Sequence, residues 1–189
     1  MNNMFYFCES LQEINLKQFN TNNVVDMSFM FYNCKNIKQL NISYLYTPKV
    51  ADMSCMFGEC AQLEQLDFNN NKFTTSNVLN MSGMFMGCNS LKELELSNFN
   101  TDKVTNMSWM FYKCLNLKEL VITNFNTNKT NDFYSMFSGC NNLMMLNIGP
   151  KFNTNNAKDV FNMFSNCNDY LIKKIKENKN IKYEAFIDM

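Results

Sequence analysis

Apolar residues along this chain return at two alternating periods. Val24, Met27, Met30, Phe31 and Cys34 recur at three- and four-residue steps, the spacing of one helix face. A little further along each stretch the rule changes. In the segment ending at Ser97, Leu94 and Leu96 alternate with Glu93, Glu95 and Ser97, which is the period of a strand with one buried side. The two patterns predict a short helix of about two turns followed by a short strand. Asp26, Asp52, Asn80, Asn106, Asp132 and Asp159 each stand just before the first Met, Phe or Val of the helical pattern. That is the expected place for a side chain that accepts from an otherwise unpaired N–H at a helix start. Gly87 and Gly139, immediately before a cysteine, suit the helix end.

This two-period unit repeats. Met-Phe-x-x-Cys begins at Met4, Met30, Met56, Met84, Met110, Met136 and Met163, at spacings of 26, 26, 28, 26, 26 and 27. Seven of the eight cysteines fall at one repeat position, and Cys55 alone lies outside it. The two longer spacings arise after the Leu-x-x-Leu-x-Leu segment, from the stretch Asn69 to Lys72 and from Gly149-Pro150, so both insertions are assigned to loops. A single unit cannot bury its own apolar side chains; stacked neighbours supply them with partners and supply the strands with hydrogen bonds. The expected architecture is an α/β repeat solenoid of about seven coils of 26–28 residues, with one parallel sheet on one face and short helices on the other.

The ends depart from the repeat. Met1 aligns with Met27, Met53, Met81 and Met107, so the chain starts inside a unit with no polar segment over its first coil. End-to-end self-association through that uncapped coil is one expectation. After Cys167 the pattern stops. Asp169 to Asn178 predicts an amphipathic helix with Leu171, Ile172 and Ile175 inward, and Ile181 to Ile187 a last strand. The division expected is a solenoid over 1–168 and a C-terminal helical cap over 169–189.

Composition narrows the chemistry. Lys+Arg and Asp+Glu both number 17, every basic residue is Lys, and there is no His. The usual general base and commonest metal ligand are therefore missing, and with no basic excess a nucleic-acid partner is not expected. No apolar run approaches the length of a membrane-spanning helix. The opening MNNMFYFCES has neither a basic start nor a long apolar stretch, so no signal peptide is read there.

Each ladder of like residues has a structural explanation set beside a functional one. Met and Cys four residues apart suit Cu(I), but both also pack well in a core, and packing is preferred. Disulfides between equivalent cysteines need Cα atoms within about 7 Å, whereas neighbouring helices would pack about 8–10 Å apart; free, buried thiols are expected. Capping is preferred over calcium for the Asp/Asn ladder, since calcium needs six to eight oxygens. For Thr21, Thr47, Thr75, Thr101, Thr127 and Thr154 the expectation is hydroxyl bonding along the stack. No metal or other cofactor is expected, and without histidine no Cys–His or Ser–His pair can form.

The unit Met-Ser-x-Met-Phe-x-x-Cys-x-x-Leu-x-x-Leu-x-Leu-Ser-x-Phe-x-Thr-x-x-Val resembles the BspA-like leucine-rich repeat surface proteins, in the branch common among mycoplasma-type lipoproteins. Met107-Ser108-Trp109-Met110-Phe111 through Thr127 fits it almost position by position, and the resemblance runs over roughly residues 1–168. It implies a leucine-rich-repeat-like right-handed fold, exposure at the cell surface or secretion, a role in adhesion to a protein or glycan on a host or neighbouring cell, and no catalytic residues. A cytoplasmic location stays open, because no export signal is read.

The candidate binding residues are the outward strand positions. One row holds Gln39, Gln65, Glu93 and Glu119, and the next Asn41, Asp67 and Glu95. Lys38, Lys92 and Lys118 stand one position earlier, within reach of neighbouring Glu side chains. A binding module working through this face is the first reading. A structural or antigenic array without a specific ligand, or an intracellular scaffold, are the alternatives.

Overall fold

The computed structural model describes residues 1–68 and 72–188. The insertion read at Asn69 to Lys72 thus falls largely, at Asn69, Asn70 and Asn71, outside the described residues. Strands form where the period-two pattern predicts them: β1 (Gln39–Asn41), β2 (Gln65–Asp67), β3 (Glu93–Glu95), β4 (Glu119–Ile122) and β5 (Met145–Ile148). All pairing is parallel and in register, with Leu40 opposite Leu66, Leu94 opposite Leu120, and Leu120 opposite Leu146. The single sheet expected from the repeat is instead two: β1-β2 and β3-β4-β5. The ladder stops between β2 and β3, at the 28-residue spacing.

The short helices expected opposite the sheet are absent among the described residues; the Met-Ser-x-Met-Phe-x-x-Cys segments are chains of tight turns. Two residues of the segment carry a positive φ, for example Phe29 (56°) and Asn33 (61°), or Gly83 (61°) and Gly87 (70°). Each is the third residue of a turn closed by the next N–H: Met30 donates to the Met27 carbonyl at 3.3 Å and Cys34 to that of Phe31 at 3.1 Å. Left-handed residues at those points forbid a helix. They also turn every second N–H toward the next unit. Met27, Phe29, Phe31 and Asn33 donate to the carbonyls of Asp52, Ser54, Met56 and Gly58 at 2.8–2.9 Å. Alternate residues therefore bond within the unit and across units, so the backbone polar groups are satisfied without a helix. Gly87 and Gly139 sit in this left-handed position (70° and 79°), where they form part of a turn and do not end a helix.

The Asp/Asn ladder keeps its predicted bond in a different setting. The Asp26 carboxylate accepts from the Ser28 N–H at 2.8 Å and from its hydroxyl at 2.7 Å, and Asn106 does the same for Ser108 at 2.8 and 2.7 Å. These bonds lead into the first turn of the ribbon in place of a helix. Asp26, Asp52, Asn80, Asn106, Asp132 and Asp159 are joined to one another by parallel backbone bridges.

The core lies between ribbon and strands. The phenylalanine of each Met-Phe-x-x-Cys segment points into it, and these rings form a continuous stack from Phe5 through Phe31, Phe57, Phe85, Phe111, Phe137 and Phe164 to Phe186. Neighbouring centroids are 5.2–6.0 Å apart and neighbouring planes within 17° of parallel. Six of the cysteines are buried free thiols. Each S–H donates back to a phenylalanine carbonyl of the preceding unit, as Cys88 to Phe57 at 3.1 Å and Cys140 to Phe111 at 3.0 Å. Burial pushes the Cys34 thiol up to about 11, and it raises Cys60 and Cys88 further. The threonine ladder bonds across units as expected. The Thr101 hydroxyl donates to the Asn126 carbonyl at 3.0 Å and accepts from the Asn126 N–H at 2.8 Å.

The tail starts as predicted, with helix α1 (Asp169–Lys176) capped by the Asn168 side chain, which accepts from the Tyr170 N–H. Leu171 and Ile175 are buried and Ile172 is half-buried. The strand expected over Ile181 to Ile187 is instead a single 3₁₀ turn, Tyr183–Phe186. Asn162 donates to the Ile187 carbonyl and Phe164 to that of Ala185. The tail thus runs antiparallel to the last ribbon and places Phe186 at the end of the ring stack.

Candidate functional site

Where β2 and β3 do not pair, a cleft of about 890 Å³ opens on the strand side. In a parallel ladder, the N–H and C=O of one residue face the same neighbour, and those of the next face the other way. Glu119 donates to the Lys92 carbonyl and Leu96 to that of Val121, so Lys92 and Leu96 face β4. The main-chain groups of Glu93 and Glu95 consequently face β2. Gln65 likewise donates to the Lys38 carbonyl, which leaves the main chain of Leu66 facing β3. The cleft is therefore bounded by two strand edges whose backbone donors and acceptors point toward each other without pairing.

Its floor is apolar. Leu66 and Val121 are half-buried, and Phe68 and Leu94 are 7% and 6% exposed. Its rim is acidic: Glu64, Glu93, Glu95 and Glu119 line it, against Lys92. The Glu95 carboxylate accepts from the Ser97 N–H at 2.7 Å, and Glu119 accepts from the Asn147 side chain at 3.2 Å, so both are held in place. Beneath the cleft, Phe68 takes the place held by Ile42, Leu96 and Ile122 in other units. Its ring meets Phe99 edge-on at 5.1 Å and 88°, and Phe73 at 5.4 Å.

Of the outward positions read from the sequence, the structure gathers Gln65, Glu93, Glu95 and Glu119 around this cleft. Gln39 and Asn41 are exposed on β1, away from it, and Asp67 is half-buried at the end of β2. Glu64, Leu66, Phe68 and Asn98 also line the cleft, although the strand period alone did not single them out. The signal for them lies in the 28-residue spacing and in a ring where the other units carry an aliphatic side chain. Lys38, Lys92 and Lys118 make no ion pair with the neighbouring glutamates; the ion pair among the described residues is Lys35 with Glu9, at 2.9 Å. Among the described residues no group of three or more Cys, Asp or Glu is placed to hold a metal ion, and no helix is long and apolar enough to cross a membrane.

Among solved structures, a leucine rich cell surface protein from Faecalibacterium prausnitzii A2-165 is similar at 18% identity and a TM-score of 0.47, over 67% of this chain and 30% of that one. A leucine rich repeat protein from T. pallidum is similar at 15% identity and a TM-score of 0.42, over 89% of this chain and 84% of that one. The chain thus spans under a third of the length of the first of these. No curated protein matches it. A family model described as "Mycoplasma protein of unknown function, DUF285" matches residues 1–95 and again residues 91–186. With nearly its whole length matched in two passes, the chain belongs to this mycoplasma family.

Proposed function

We propose that this chain is a non-enzymatic binding module displayed at a cell surface, of the lipoprotein repeat branch, and that it holds a protein partner in the cleft between β2 and β3. Residues 1–168 act as a solenoid of seven coils, and residues 169–189 cover its C-terminal end. The observation that carries the reading is the cleft itself: an apolar floor, four glutamates against one lysine, and two unpaired strand edges. An extended segment with basic and apolar side chains satisfies all three. It offers main-chain groups to Leu66, Glu93 and Glu95, as in strand addition, and positive charge to the rim. The buried thiols fit a non-catalytic role, since a thiol held protonated by burial is a poor nucleophile.

Selection from a random peptide library tests this. Peptides rich in Lys or Arg should be enriched, and affinity should fall at least about tenfold in the double variant Glu93→Lys/Glu119→Lys and weaken as salt rises. Enrichment that ignores charge, with unchanged affinity in the double variant, would refute the cleft as the site.

A further inference from the structure

The turn ribbon carries a second hollow, of about 380 Å³ and separate from the strand cleft. Two columns of outward side chains build it. One runs Trp109, Ser135, Asn162 through successive units, and the other Tyr112, Ser138, Ser165. The order of side-chain sizes makes the hollow: aromatic rings in one unit, small hydroxyls in the next, amide and hydroxyl groups in the third. Ser135 and Ser138 form its floor, at 4% and 7% exposure. Asn166 and Asp188 complete the far rim.

The aromatic wall is braced. Trp109 meets the Tyr134 ring edge-on at 5.3 Å and 74°. The Tyr134 hydroxyl accepts from the Asn162 side chain at 3.3 Å. Trp109 also sits at a φ of 56°, at the point where the preceding unit has Gly83. A bulky side chain is strained in that region, and 41% of the Trp109 surface remains in water. Every unit holds a residue at this φ, Phe29, Cys55 and Ser135 among them, so the turn itself sets the backbone, and what distinguishes Trp109 is a large ring left partly in water beside the hollow.

A flat aromatic face beside several hydroxyl and amide groups, with a single carboxylate at the rim, matches the chemistry of a sugar ring. Such a ring offers an apolar C–H face for the indole and hydroxyls that both donate to and accept from Ser and Asn. A cationic ligand fits less well, because Lys113 already lies over the Tyr112 ring, 5.0 Å from its centroid. The volume is at the small end of ligand clefts, which run from about 300 to 1,000 Å³. We propose that this hollow is a carbohydrate subsite for one or two pyranose rings of a neutral oligosaccharide, with one ring stacked on Trp109.

Trp109 is the only tryptophan in the chain, so its emission reports the site directly. The intact chain is titrated with maltotriose, with triacetylchitotriose and, as the cationic counter-probe, with choline chloride. At least one oligosaccharide should shift the emission saturably, and choline should not. Two variants borrow residues that equivalent positions already hold: Trp109→Gly, as at Gly83, and Ser138→Tyr, as at Tyr112. Each should keep a cooperative melt and lose at least about tenfold in sugar affinity by calorimetry. Three results would each overturn the proposal: no saturable response to either sugar, saturation by choline alone, or undiminished sugar binding in both folded variants.

Discussion

Between the units of Phe57 and Phe85 the two sides of the repeat part company. On the ribbon side, Cys55, Phe57 and Glu59 donate to the carbonyls of Ser82, Met84 and Met86 at 2.8, 3.0 and 2.6 Å, as in every other pair of neighbouring units. On the strand side, β2 and β3 do not pair. The ribbon is held by backbone alternation, by a ring stack whose neighbouring members repeat in geometry, and by thiols and hydroxyls that bond across units. The strands are three or four residues long, and their spacing depends on what lies beneath them. With Phe68 in place of an aliphatic residue and two extra residues in the connection after it, the strand side separates and the ribbon side holds. Continuity is thus a property of the ribbon, and the strand side is where a unit can vary.

The largest expected effect is on the ribbon. Phe85 is fully buried and stacked at 5.6 Å on both Phe57 and Phe111. Phe85→Ala should cost about 3–5 kcal/mol, read from the denaturant midpoint. Thr101→Val comes next. It leaves the Asn126 N–H and C=O without their hydroxyl partner, at about 1–3 kcal/mol for each buried group, and Thr101→Ser should recover most of the loss.

The thiols add a pH dependence of defined sign. Folded Cys34 and Cys55 titrate at about 11 rather than at the ordinary 9.0, through burial, with nearby charge adding to the rise. Cys60 and Cys88 are raised further by burial, and Cys140 by a side-chain hydrogen bond with Cys114 as well as by burial. The unfolded chain then loses protons before the folded one. The contribution is complete below about pH 9 and falls as pH rises through about 11 and beyond. Melting temperature should therefore drop across that window, and a variant with Val in place of Cys60 and Cys88 should drop less.

On the strand side the effects on stability are small and those on binding are large. Phe68→Leu should let β2 and β3 approach and should weaken selected peptides at least about tenfold. Glu93→Lys should shift stability by no more than about 0.5 kcal/mol, which separates a solvated binding face from a structural one.

The repeat period, the strand positions and the inward placing of Leu94 and Leu96 were all legible in the sequence, because a period of two has one structural meaning. The helix was misread because a run of tight turns places Met27, Met30, Phe31 and Cys34 on one side at the same steps as a helix does. A cue was present: Asn33, Gly87, Gly139 and Asn166 all stand before the cysteine, and Asn and Gly are the residues most at ease with positive φ. The final strand is misread because Ile181, Tyr183 and Ala185 alternate with Lys182 and Glu184 as a strand would, whereas the turn that forms there is set by bonding to the last ribbon. Around the cleft, the outward glutamates follow from strand period, but the loss of pairing beside Phe68 is signalled only when the units are compared, by the longer spacing and the ring in an aliphatic position.

Amide hydrogen exchange, resolved by residue, tests the central contrast most directly. The account predicts strong protection at Phe57 and Glu59, which bond across units on the ribbon, and at Val121, which lies within the paired sheet, with fast exchange at Glu93 and Glu95. Protection of Glu93 and Glu95 equal to that of Val121 would mean that the sheet is continuous, and it would remove the cleft on which the proposed function rests.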